Sequence, residues 1–209
     1  DVAQVDGKKV ALVIDYKLTP AAADFKWNEF YHGLDVQLAI YMLAVRHGGG
    51  DVVDDVAGAL YLPIETPPET ATLAELAEKN PHKFSYKPHG ILNGVYWSCL
   101  DPNASGCSRY YNFHVKKKDN DPYGRYPTSS LLTPEHFKRL LEWAEANLQR
   151  LAGDILSGRI EALPYHQGAE RACANCDYSG VCHFDWQINE YRFLRSVRKN
   201  DLMAELDKA

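Results

Sequence analysis

The chain has 209 residues, 45% of them hydrophobic and 24% charged, with a formal net charge of −5. That length suits one sizeable domain, or a domain with an appendage. The acidic balance argues against a surface that coats nucleic acid unspecifically, yet leaves room for a local basic groove beside metal-binding carboxylates. No apolar run reaches the roughly 18 residues of a membrane span. No signal peptide opens the chain. It begins Asp1-Val2-Ala3 rather than with Met, and reads as a fragment or a processed piece.

In chain order, Asp6-Gly7 is a turn signal between an extended segment and a strand at about residues 9–15, together a hairpin. Residues 18–32 read as a loop holding Pro20 and several aromatics. From Gly33 to about His47 the pattern is helical, with Leu34, Leu38, Tyr41, Met42 and Val45 on one stripe, ended by Gly48-Gly49-Gly50. The apolar run at 57–64 reads as a second strand, so strand, helix and strand suggest a crossover on a mixed sheet. Residues 65–130 read as a long insertion with short strands near 91–98 and 110–115. Thr133 and Pro134 predict a capped helix whose buried face is Phe137, Leu140, Leu141, Ala144, Leu148, Leu151 and Ile155. A cysteine-bearing loop follows from about Pro164 to Asp185. A last helix from about Gln187 is expected to carry Arg192, Arg195, Arg198 and Lys199.

Two motifs carry chemistry. The first is Asp15-Tyr16-Lys17 at the end of an apolar strand. Phosphodiester hydrolysis uses a divalent ion to polarise the phosphate and to make its attacking water more acidic. Mg²⁺ takes hard oxygen ligands, often one or two carboxylates. An Asp on a rigid strand supplies one, and the next backbone carbonyl, that of Tyr16, can supply another. Side chains two apart on a strand share a face, so Lys17 points with Asp15 toward the same space. The plainer alternative is a strand-end salt pair. Gln37 and Tyr41, four apart, share a helix face. Gln37 is either a satisfied core amide or a group aimed at the site.

The second motif is Cys173-Ala174-Asn175-Cys176 followed by Cys182. Three cysteines within ten residues, out of an odd total of five, point to metal ligation in a reducing compartment rather than a disulfide framework. Thiolates suit zinc or an iron–sulfur cluster, and His183 is a candidate fourth ligand for zinc. Weaker features have plain readings beside functional ones. Lys116-Lys117-Lys118 either touches phosphate or is a solvated loop, and the set Arg192, Arg195, Arg198 and Lys199 either lines a DNA groove or is surface. Trp27, Phe30 and Tyr31 either stack on bases or pack in the core.

A strand-borne Asp-Tyr-Lys followed by a helix bearing Gln-x-x-x-Tyr resembles the RecB-type branch of the PD-(D/E)XK nuclease superfamily. The resemblance implies an α/β fold, with a mixed central sheet flanked by helices in a restriction-endonuclease-like core. That core occupies residues 1–163, with part of its N-terminal region missing. Residues 164–209 form a C-terminal cysteine-rich iron–sulfur loop and helix. It implies catalytic roles for Asp15, Lys17, Gln37 and Tyr41, and Mg²⁺ or Mn²⁺ held by Asp15, the Tyr16 carbonyl and an upstream Asp. Asp1 is one candidate for that Asp. The alternative is that the true ligand preceded it and is lost; in either case the upstream helix bearing a Glu is absent. Cys173, Cys176 and Cys182 then hold a 4Fe-4S cluster whose fourth Cys ligand lies outside this chain. No Cys precedes Asp15, and neither Cys99 nor Cys107 is assigned to it.

The length between the two motifs resembles the AddB type within this branch. The implied function is a metal-dependent DNA exonuclease domain of an ATP-dependent helicase–nuclease complex in double-strand break repair. Its partners would be DNA and an AddA-like subunit, with no membrane, in the cytoplasm. The alternatives are a standalone or CRISPR-associated iron–sulfur exonuclease, and a catalytically inactive DNA-binding module stabilised by zinc or a cluster.

Overall fold

The computed structural model describes residues 1–50, 52–65, 87–174 and 176–208. The predicted hairpin is present. Strands β1 (Val2–Val5) and β2 (Lys8–Lys17) pair antiparallel across Asp6 and Gly7. Both turn residues have positive φ, 48° and 82°, the combination a two-residue I′ turn demands and the reason for glycine there. Helix α1 (Trp27–Tyr31) interrupts the expected 18–32 loop, because Phe30 is buried and draws one helical turn onto the core.

Helix α2 (Gln37–Gly48) follows, burying Leu38, Ala39, Met42 and Leu43. Leu34 and Tyr41 of the predicted stripe stay exposed at 37% and 36%. The chain then crosses into β3 (Asp55–Pro63), which pairs parallel with β2. Of the range read as an insertion, residues 66–86 lie outside the described residues. Next comes β4 (His89–Asn93), antiparallel to β3. It falls inside that range, yet it is a strand of the main sheet, and its Ile91 and Leu92 are fully buried on opposite faces. A 3-10 turn (Gly94–Tyr96) and the short helix α3 (Trp97–Leu100) lead to a small antiparallel sheet of β5 (Gly106–Cys107), β6 (His114–Lys116) and β7 (Asp121–Gly124). Strand β8 (Leu131–Leu132) closes the main sheet, whose order is β1-β2-β3-β4-β8.

Helix α4 (Pro134–Leu156) starts where predicted. The Thr133 side chain accepts from the His136 N–H at 3.2 Å, and Pro134 opens the first turn. Its buried face is Phe137, Leu140, Leu141 and Ala144, with Leu148 half-covered, whereas Ile155 is 76% exposed because the helix outruns the core.

The main sheet follows the two-residue period, broken once in β3 by a register shift between Val56 and Gly58. On one face Val13, Val56, Ala59, Tyr61, Ile91 and Leu132 pack under α2, α4 and the C-terminal helix. On the other, Leu60, Leu92 and Leu131 pack on Phe113 and Val115 of the small sheet. Each such side chain removed from water contributes about 1.5–3 kcal/mol, so the central layer is the rigid platform of the molecule.

A third sheet, β9 (Tyr165–Gln167), β10 (Glu170–Arg171) and β11 (Arg192–Phe193), carries the cysteine segment, which includes the single helical turn α5 (Ser179–Cys182). The helix expected from Gln187 begins only at Lys199, as α6 (Lys199–Leu206). The cause is competition for backbone partners. The Arg192 N–H donates to the Pro164 carbonyl and the Leu194 N–H to the His166 carbonyl, both at 2.9 Å, which makes this stretch a strand. No helix among the described residues is long and apolar enough to cross a membrane.

Candidate active site

The last three residues of β2 are Asp15, Tyr16 and Lys17. Alternation turns Tyr16 outward, where it is 61% exposed. Asp15 and Lys17 face the start of α2, with side-chain exposures of only 18% and 24%. The Lys17 Nζ lies 3.0 Å from Asp15 Oδ2 and donates to Gln37 Oε1 at 2.6 Å. The Gln37 amide in turn donates from Nε2 to the Tyr41 hydroxyl at 2.6 Å. Four of the residues singled out in the sequence thus form one continuous chain of contacts. Gln37 is neither loose nor buried among apolar groups, since both ends of its amide are engaged with site residues.

Two residues to which the sequence assigned no role complete the group. Tyr61 on β3 is the cross-strand register partner of Asp15. Its ring lies under the Lys17 ammonium, 4.7 Å from nitrogen to centroid. Its hydroxyl donates to Asp35 Oδ1 at 2.7 Å, and the same oxygen accepts the Gln37 backbone N–H at 3.3 Å. Burial first, and then the Asp35 carboxylate, pushes the Tyr61 hydroxyl well above the ordinary tyrosine range, so it stays a donor. The signals were a lone polar aromatic in an aliphatic strand and an Asp two residues before Gln37.

The site can be tested against a divalent cation by its donors. Asp15 Oδ2 is buried and accepts no hydrogen bond, so its contact with Lys17 is an ion pair without hydrogen-bond alignment. A buried carboxylate oxygen without a hydrogen bond suits a hard cation. Asp1 does not join it. The Asp1 carbonyl accepts from the Leu12 N–H, and Asp1 lines a cavity of about 210 Å³ with Val10, Leu12, Ala57 and Tyr96, on the opposite face of the sheet from Asp15. Among the described residues no three His, Cys, Asp or Glu side chains converge to hold a metal. Among the described residues, Asp15 is the carboxylate of this group that fits a divalent cation.

The same holds for the cysteines. Cys173 and Cys176 are half-buried, Cys182 is exposed, and all three are free thiols. They lie along one stretch without their sulfurs forming a ligand set among the described residues. Several residues of the weaker features have protein partners. Lys116 pairs with Asp121 at 2.7 Å. Arg195 pairs with Glu205 and donates to the Tyr31 hydroxyl. Phe30 is 1% exposed, and the Tyr31 ring stacks on Trp143.

This arrangement of a mixed sheet, a strand ending in Asp-x-Lys and a helix presenting Gln and Tyr defines a nuclease-type core. The PD-(D/E)XK nuclease superfamily model matches residues 1–183, and the chain belongs to that superfamily. Its relatives include proteins named as one subunit of an ATP-dependent helicase/deoxyribonuclease. That of Symbiobacterium thermophilum is 31% identical over 98% of this chain and 18% of its own length. That of Natranaerobius thermophilus is 29% identical over 98% of this chain and 17% of its own. That of Clostridium botulinum strain Hall is 31% identical over 100% of this chain and 18% of its own. The chain therefore spans less than a fifth of the length of the curated relatives it matches.

Proposed function

We propose that this chain is the Mg²⁺-dependent DNA exonuclease module of an ATP-dependent helicase–nuclease. Such a protein works with an AddA-like subunit on double-strand breaks. The observation that carries the reading is the chain of contacts from Asp15 through Lys17 and Gln37 to Tyr41 at the end of β2. Asp15 and the Tyr16 carbonyl would hold the divalent ion, with further ligands from outside this group. When bound, the ion polarises the phosphate and acidifies the attacking water. Lys17, fixed between Asp15, Gln37 and the Tyr61 ring, orients the nucleophile and offsets charge that develops on the phosphate. Gln37 holds the ammonium at that point, and Tyr41 holds Gln37. The names of the relatives support the larger assembly. The three free cysteines within ten residues support an iron–sulfur cluster completed by a ligand from elsewhere.

The test is Mg²⁺-dependent cleavage of single-stranded DNA by the full-length gene product, purified without oxygen, beside Asp15→Ala and Lys17→Ala. Loss of cleavage in both, with iron, sulfide and brown absorbance retained, is the expected result. Unchanged cleavage in both variants would reduce Asp15-Tyr16-Lys17 to a strand end. Absence of iron in the anaerobic protein would remove the cluster from the reading.

A further inference from the structure

The contacts around Tyr61 exceed what a core tyrosine needs. A buried tyrosine hydroxyl seeks one acceptor, and any nearby carbonyl would serve. Here the acceptor is the carboxylate of Asp35, and the same oxygen receives the first backbone N–H of α2. Val36 at the N-cap makes no side-chain cap, so Asp35 does that work from one residue further out. Tyr61 also touches both ends of the catalytic motif. It is the register partner of Asp15, and its ring face lies under Lys17.

We propose that Tyr61 and Asp35 are a positioning pair for the reaction. Through its ring Tyr61 sets the height of the Lys17 ammonium. Through its hydroxyl it anchors Asp35, which fixes the end of α2 and with it Gln37, the acceptor of the Lys17 hydrogen bond. Strand β3 and helix α2 are thereby locked to the same ammonium from two sides. Neither residue touches the reacting phosphate, so both act through Lys17. This inference rests on the nuclease reading above.

Positioning has a recognisable signature. A displacement of about 1 Å in a reacting group costs up to about 100-fold in rate, and it falls on kcat rather than on substrate affinity. Tyr61→Phe keeps the ring under Lys17 and removes only the hydroxyl. Asp35→Ala removes the acceptor, whereas Asp35→Asn keeps an oxygen for both donors. In the full-length gene product with Mg²⁺ and single-stranded DNA, we expect Tyr61→Phe and Asp35→Ala each to lower kcat about 10- to 100-fold with KM unchanged. Asp35→Asn should restore most of the rate. The double variant Tyr61→Phe/Asp35→Ala should be no slower than the slower single one, because both remove the same contact. Should Tyr61→Phe fail to fold, the Asp35 pair of variants carries the test, since Asp35 is only half-buried. Parent-like kcat in both single variants, losses that multiply in the double one, a rise confined to KM, or no rescue by Asn overturns the pair. Cleavage that survives Asp15→Ala, or none by the parent, overturns the nuclease reading itself and this inference with it.

Discussion

Lys199 begins α6 and is 1% exposed, the most buried charged side chain among the described residues. Its Nζ donates to the Tyr126, Ser129 and Leu131 carbonyls at 2.8, 2.8 and 2.7 Å, and lies 3.7 Å from the centroid of the Tyr126 ring. Burial pushes its pKa down to about 7. Set against the ordinary lysine value, that corresponds to about 5 kcal/mol of cost for keeping the charge inside. Three charge-assisted hydrogen bonds and the contact with the Tyr126 ring offset only part of the desolvation, so the charged form remains the costlier one in the fold.

Lys199→Met relieves the charge but takes a donor from three carbonyls, of which, among the described residues, only that of Tyr126 keeps the Ser129 N–H as well; each carbonyl left unpaired costs about 1–3 kcal/mol. We expect local opening of α6 to become easier by about 3 kcal/mol near neutral pH. The sign with pH follows from the lowered native pKa. Between about 7 and the unfolded value near 10.5, the open form binds the proton that the closed form has released. Protection of α6 in the parent should therefore rise with pH by up to about 1.4 kcal/mol per unit and fall away as pH drops to 7. Hydrogen–deuterium exchange over residues 126–132 and 199–206 in the full-length protein, corrected for intrinsic rates from pH 6 to 9, reads both effects. Equal protection in parent and variant, or a parent slope of zero above pH 7, would refute the account.

Two further outcomes follow from the platform and the site. Gln37→Ala frees one side of the Lys17 ammonium and the Tyr41 hydroxyl; it should lower kcat about 10-fold while DNA affinity, read by equilibrium binding without metal, stays within about twofold, and an unchanged kcat would return Gln37 to a bystander amide. Gly90 has φ 157° and lies against β3, where an added Cβ would overlap the Ala59 carbonyl oxygen and come within 2.9 Å of Leu60 Cα. Gly90→Ala should cost more than about 3 kcal/mol or abolish soluble expression, and a variant that melts like the parent would show that β3 and β4 separate easily.

Much of the fold was legible because its signals are local. Asp6-Gly7, the Thr133-Pro134 cap and the α2 stripe each act within a few residues. What escaped depends on pairing at a distance. Arg192, Arg195 and Arg198 recur every third residue like one face of a helix, but β9 captured the backbone from Arg192 to Leu194 first. Lys199 read as the last of that basic set, yet tertiary carbonyls drew it inside. The short strand expected near 91–98 is present at His89–Asn93, but its place as an inner strand of the main sheet comes from its pairing with β3 and β8. The site shows the same division. Asp15 and Lys17 share a strand face by simple alternation, and Gln37 and Tyr41 share a helix face. Tyr61 and Asp35 belong to the group only because β2 and β3 run parallel in this register. Asp1, one of two candidates for the upstream ligand, lies on the other side of the sheet from Asp15 because hairpin pairing sets it opposite Leu12.

The Lys199 contacts have a consequence for the cysteine segment. With α4 packed at one end and α6 clasped at the other, that segment is a closed loop rather than a tail. Closing a loop raises the effective concentration of everything along it, and the chain entropy for that closure is spent on folding the core. The three thiols are thus tethered near one another and near the core whatever they bind, and a ligand that gathers them needs to order only the loop's interior.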